Sequence, residues 1–209
     1  KIIKSFIFKK FDKMILKEEI FFYDGRTALN FGLKFLSLPK GSKVLIPNSI
    51  CDVIIGPITS NDLEIDYYNL NDNFEPDWND IKAKLNKKVT AIMMVHFFGQ
   101  PQNINKFLQI SKKNNVKLIE DNAHGYGSKY NGKLLGTFGD IGFSSPRKIL
   151  NLYSGGCLYI DSRNKIELNV KKPKKKIIIK RIIKYWLYKY FPQTKKTIKK
   201  KSHFNNSQI

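Results

Sequence analysis

From Tyr23 to Asp161 short apolar runs alternate with longer stretches in which apolar residues return every three or four positions. Thr27 to Leu36 places Ala28, Leu29, Phe31, Gly32, Phe35 and Leu36 at helical spacing, so a helix is predicted there. Val44 to Ile46 reads as a short strand closed by Pro47, and Cys51 to Ile58 as a helix that follows the cap-forming residues Asn48 and Ser49. Leu63 to Tyr68 is the next strand, Asp77 to Leu85 a helix with an acidic first turn, and Thr90 to Val95 a buried strand. Ile104 to Lys113 is amphipathic, and Val116 to Glu120 is a strand that delivers Asp121 at its carboxyl end. Asn131-Gly132 favours a tight hairpin, because both central positions of such a turn need positive φ. Phe138 to Ser144 and Gly156 to Ile160 complete the strands. This order predicts an α/β domain, a mostly parallel sheet covered by helices, with ligands gathering at the carboxyl ends of its strands.

Composition refines that picture in one respect. The chain has 209 residues and a formal charge of +21. Between Arg163 and Lys201 stand sixteen basic residues and one acidic residue, Glu167, so +15 of the charge lies there and +6 in the remaining 170 positions. A core domain over residues 1–162 and a basic, partly amphipathic tail over residues 163–209 follow. Ile177 to Phe191 interleaves Lys180, Arg181, Lys184 and Lys189 with Trp186 and other apolar residues. If helical, this stretch suits peripheral contact with an anionic membrane, or packing against another domain or subunit. No nucleic-acid motif accompanies the charge, and nucleic acid is not expected as a partner. Two cysteines, Cys51 and Cys157, are too few for a disulfide framework or a zinc site, so no metal is expected. Lys1 to Leu16 mixes Ile and Phe with lysines rather than forming a continuous apolar run, and a cytoplasmic setting is expected.

Three segments carry residues with chemistry. Asp24-Gly25-Arg26-Thr27 is a glycine turn entering a helix, where backbone N–H groups, the guanidinium and the Thr27 hydroxyl suit a phosphate; it also reads as an ordinary helix start. Glu120-Asp121-Asn122-Ala123-His124 puts a carboxylate and an imidazole at one strand mouth. A buried carboxylate there needs a cationic or hydrogen-bonding partner, although Asp121 would serve equally as a turn cap. Ser144-Ser145-Pro146-Arg147-Lys148 leads toward Gly155-Gly156, and a desolvated lysine in such a loop becomes a nucleophile toward aldehydes. His96, beside Phe97 and Phe98, reads as a substrate contact or a packed structural histidine.

In this order and at these spacings the three segments resemble the DegT/DnrJ/EryC1/StrS aminotransferases from about Phe22 to Asp161, supported by Val95-His96-Phe97-Phe98-Gly99-Gln100-Pro101 and Gly139-Asp140. The resemblance implies a type I aminotransferase large domain that binds pyridoxal 5'-phosphate (PLP) as a Schiff base on Lys148. It implies that Asp121 pairs with the pyridine nitrogen, that His124 reaches the ring's phenolic oxygen or face, and that Gly25, Arg26, Thr27 and Ser144 hold the phosphate. The implied reaction moves an amine from an amino acid, glutamate in most of the family, to a nucleotide-linked keto sugar in polysaccharide or cell-surface glycan biosynthesis. Related dehydratases replace the lysine with histidine, so Lys148 points to transamination.

Three features depart from the family pattern. Cys51 stands where an aromatic usually stacks on the pyridine, and the Ser144 to Lys148 loop is shorter than usual. Members also continue into a small C-terminal domain and usually pair as homodimers. The chain is thus expected to be a shortened large domain, and a non-catalytic PLP-fold protein with a membrane- or partner-binding tail is the alternative.

Overall fold

The computed structural model describes residues 17–161, and beyond them only Ile179, Ile183 and Tyr190, each helical and exposed. The chain divides into two units, Lys1–Ile166 and Glu167–Ile209. The amphipathic stretch foreseen over residues 177–191 lies otherwise outside the described residues.

Strands β1 (Lys17–Phe22), β2 (Lys43–Pro47), β3 (Glu64–Tyr68), β4 (Val89–Val95), β5 (Lys117–Asn122), β8 (Ile141–Ser144) and β9 (Gly156–Asp161) form one sheet in the order β1-β9-β8-β5-β4-β2-β3. β6 (Lys129–Tyr130) and β7 (Lys133–Leu134) form the foreseen hairpin. Pairings from β3 through β8 are parallel, and those of β9 with β8 and β1 antiparallel. The mostly parallel α/β sheet is therefore as expected. The helices are α1 (Gly25–Leu36), α2 (Ile55–Thr59), α3 (Trp78–Lys84) and α4 (Ile104–Asn114).

Helices cover both faces, which is why β4 is buried almost from end to end rather than alternating. α1 lies on β8 and β9 so closely that a Cβ on Gly32 would stand 2.6 Å from Ile141 Cδ1 and 2.8 Å from Leu158 Cδ1. On the other face Phe107 and Ile110 of α4 and Ile81 of α3 join Leu45, Ile92, Met94 and Leu118 in one buried cluster. Ile119, Asp121, Ile141 and Phe143 project on the α1 side, and Leu118, Glu120, Asn122, Gly142 and Ser144 on the opposite side, as strand alternation and the β5–β8 register require.

Three elements depart from the sequence expectation. The helix predicted from Cys51 becomes a 3-10 turn, Asp52–Ile54, followed by the five residues of α2, because Gly56 and Pro57 oppose a longer helix. β1 has no clear alternation in Lys17–Phe22 and is fixed instead by its antiparallel register with β9. β8 begins at Ile141 rather than Phe138, since the N–H groups of Phe138 and Gly139 donate to the Glu120 carboxylate and not to a neighbouring strand.

Candidate functional site

The expected residues arrive from three elements at the carboxyl end of the parallel strands. Asp121 stands one residue before the end of β5, His124 follows in the β5–β6 connection, and Lys148 closes the 3-10 turn Pro146–Lys148 after β8. Lys148 Nζ and His124 Nε2 are 2.8 Å apart. Partial burial and then the nearby Lys148 charge depress the His124 pKa, which keeps the imidazole neutral and able to accept from the ammonium.

Asp121 is buried at 5% exposure, and burial pushes its carboxyl up to about 6. The Ala123 N–H at 2.8 Å and the charge of Lys148 pull the other way. That N–H gives the one hydrogen bond the Asp121 carboxylate accepts among the described residues. A buried carboxylate this poorly satisfied fits a ligand that brings a cationic N–H, such as a protonated pyridine nitrogen.

The phosphate end differs from expectation at two residues. Asp24 caps α1, and its Oδ1 accepts both the Thr27 N–H and the Thr27 hydroxyl at 2.9 Å each, so both Thr27 donors are committed to the cap. Arg26 pairs with the same carboxylate at 3.3 Å, its side chain half exposed. Ser144 lies on the face away from α1, fully buried, and its hydroxyl donates to Tyr159 Oη at 3.1 Å. Ser145 is one position on and therefore turns to the other side. A Cβ on Gly25 would lie 3.7 Å from Ser145 Cβ, so Ser145 is the serine beside the start of α1, its hydroxyl making only a long 3.5 Å bond to the Gly155 carbonyl. Counting faces from Ile141 through Phe143 to position 145 is the signal in the sequence that could have found it.

Beneath the site lies a scaffold that the sequence reading missed. Glu120, with no exposure, accepts from the N–H groups of Gly136 and Phe138 at 2.6 Å each and Gly139 at 3.1 Å, and it bonds His96 Nε2 at 2.9 Å. His96 Nδ1 accepts the Gln102 N–H at 3.1 Å, so Nε2 carries the proton that goes to Glu120. His96 is thus a buried structural residue at 1% exposure. Cys51 is exposed and puts no aromatic ring at that position.

This sheet and lysine-bearing loop define the large domain of the type I aminotransferase fold. An aminotransferase from Psychrobacter cryohalolentis superposes with a TM-score of 0.64 at 23% identity, over 74% of this chain and 40% of that one. A GDP-4-keto-6-deoxymannose-3-dehydratase does so with the same score at 22%, over 77% and 44%. The chain belongs to the DegT/DnrJ/EryC1/StrS aminotransferase family, whose model matches residues 12–170. Among relatives, GDP-perosamine synthase of Escherichia coli O157:H7 is 34% identical over 119 residues, 56% of this chain and 33% of that protein. The dTDP-4-dehydro-2,6-dideoxy-D-glucose 3-dehydratase of Saccharopolyspora spinosa is 36% identical over 155 residues, 66% of this chain and 32% of that protein. The chain spans about a third of the length of these relatives.

Proposed function

We propose that the site binds PLP and serves transamination of a nucleotide-linked keto sugar, with an amino acid such as glutamate as donor, in glycan biosynthesis. The observation that carries this reading is the convergence of Lys148, His124 and the under-satisfied Asp121 at one strand mouth. Lys148 would hold the cofactor through its aldehyde. Asp121 would take the pyridine nitrogen, and the start of α1 at Gly25 and Arg26, with the Ser145 hydroxyl, would hold the phosphate. When bound, PLP supplies an electron sink for the bond broken at the substrate's α-carbon.

Lys148, once released, would move the α-proton, and its 2.8 Å hydrogen bond to His124 supports that role by orienting the amine. Burial keeps water from Asp121, so its negative charge is stabilised chiefly when a cation meets it. A homodimer is part of this reading, supported by exposed Ile149, Leu150, Leu152 and Tyr153 directly after Lys148. A cytoplasmic location belongs to it as well. Among the described residues no helix is long and apolar enough to cross a membrane.

The test is reconstitution with PLP followed by borohydride reduction and peptide mass spectrometry, comparing wild type with Lys148→Ala. Cofactor fixed to the Lys148 peptide, and lost in the variant, is expected. Labelling spread over other lysines, or unchanged in the variant, would sink the assignment.

A further inference from the structure

Phe98 is unusual on three counts. Its backbone lies in the left-handed region (φ 54°, ψ 19°), a conformation that bulky residues seldom adopt. Its side chain is 71% exposed, more than any other large apolar residue described. And its ring lies parallel to the His124 ring, at 8° and 6.3 Å between centroids, while His124 bonds Lys148. An exposed aromatic residue kept in a strained conformation, where neither burial nor backbone preference favours it, marks a surface with work to do.

The surroundings hold it there firmly. Gly99 (φ 79°) packs on the His124–Gly125 backbone, where a Cβ would stand 3.0 Å from the His124 carbonyl oxygen and 3.3 Å from Gly125 Cα. Phe74, also left-handed at φ 60°, meets Phe98 edge-on at 5.5 Å and Phe97 at 5.1 Å. Gln102 Nε2 donates to the Phe74 carbonyl at 2.8 Å and ties that loop to the same segment. Two left-handed aromatic residues from separate loops thus build a ledge one imidazole away from Lys148.

We infer that Phe98 is a binding residue for the acceptor, its exposed ring taking the apolar C–H face of the sugar. This rests on the proposed sugar-transaminase reading. The sugar ring is favoured over the amino donor because a donor carboxylate needs a cation, and the ledge of Phe74, Phe97 and Phe98 offers only aromatic surface. A flat hydrocarbon face over a saturated ring gains dispersion contact without a charge partner.

The experiment uses the full chain reconstituted with PLP, glutamate as the donor probe, and GDP-perosamine and GDP as acceptor-side probes, with binding by calorimetry and the cofactor's absorbance as a second readout. Phe98→Gly is expected to weaken GDP-perosamine binding about tenfold, with Phe98→Tyr close to wild type. Because glycine relieves the left-handed backbone, the same variant should melt no lower than wild type, whereas a merely structural role for the ring would lower the melting temperature. GDP-perosamine affinity within about twofold of wild type in Phe98→Gly would overturn the inference and leave the sugar reading standing. An equal loss for GDP alone would also overturn it, assigning the ring to the base. A wild-type protein that takes the amine of glutamate but neither binds nor reacts with GDP-perosamine or with a dTDP-linked amino sugar would overturn the sugar reading, and this inference with it.

Discussion

Glu120 and Asp121 are consecutive carboxylates on one strand, yet they face opposite sides of the sheet and opposite circumstances. Glu120 has four hydrogen-bond donors around it; Asp121 has one. Both are buried. A carboxylate that the protein satisfies fully is part of its framework, whereas one left short is held ready for something the chain does not itself supply. The neighbouring serines show a weaker form of the same division, with Ser144 bonded to Tyr159 on the framework side and Ser145, beside the start of α1, making only a long 3.5 Å bond to the Gly155 carbonyl.

The contrast is broken most severely by Glu120→Ala. The change removes the carboxylate that three backbone N–H groups and His96 share, and a loss of about 3 kcal/mol in unfolding free energy is expected. Urea denaturation measures it. A loss below about 1 kcal/mol would mean that Glu120 is not the anchor described here.

Asp121→Asn should act in the opposite direction on the protein without cofactor. With its carboxyl raised from 3.8 to about 6, Asp121 binds its proton more tightly folded than unfolded. Its contribution is most favourable below the unfolded value and fades as pH rises to about 6, above which the buried charge is a cost. A gap of about two pH units, at roughly 1.4 kcal/mol each, makes that cost about 3 kcal/mol. The asparagine variant should therefore be more stable than wild type at pH 7.5, lose most of the decline in stability between about pH 4 and 6, and bind PLP poorly. A decline as steep as in wild type would place the titrating group elsewhere.

Ser145→Ala tests the α1 side at smaller scale. Loss of one hydroxyl contact to a phosphate should raise the PLP dissociation constant about tenfold, read by titration of the cofactor's absorbance, with little change in melting temperature. If Ser144→Ala weakened PLP as much and Ser145→Ala did not, the division of faces drawn here would be wrong.

Much of this was legible in the sequence because the signals were local. Helical spacing marked α1 and α4, and the order of strands predicted a parallel sheet with Asp121 at a strand end. Lys148 and His124 were picked out by the resemblance rather than by composition, one lysine among many having no standing alone. What stayed hidden depends on contacts distant in the chain. The Glu120 acceptor sites are filled by a loop sixteen to nineteen residues later and by His96 twenty-four residues earlier. β1 is a strand only because β9 lies beside it. The two serines differ because β8 ends between them, at Ser144, and that end is not written in the local sequence.

The smallest effect is the most specific about the framework. Ser144→Ala removes a hydroxyl that donates to the buried Tyr159 hydroxyl at 3.1 Å, and burial pushes the Tyr159 pKa up, so that the phenol stays neutral. Tyr159 keeps its own O–H and loses only a donor to its oxygen, so the cost should be that of one neutral hydrogen bond, about 1 kcal/mol. Tyr159→Phe should cost a similar amount by removing the other partner. Since both changes remove the same bond, the double variant should lose less than the two single losses added together. Strict additivity would show that the hydroxyls act independently and that Ser144 is held on its face by the strand alone.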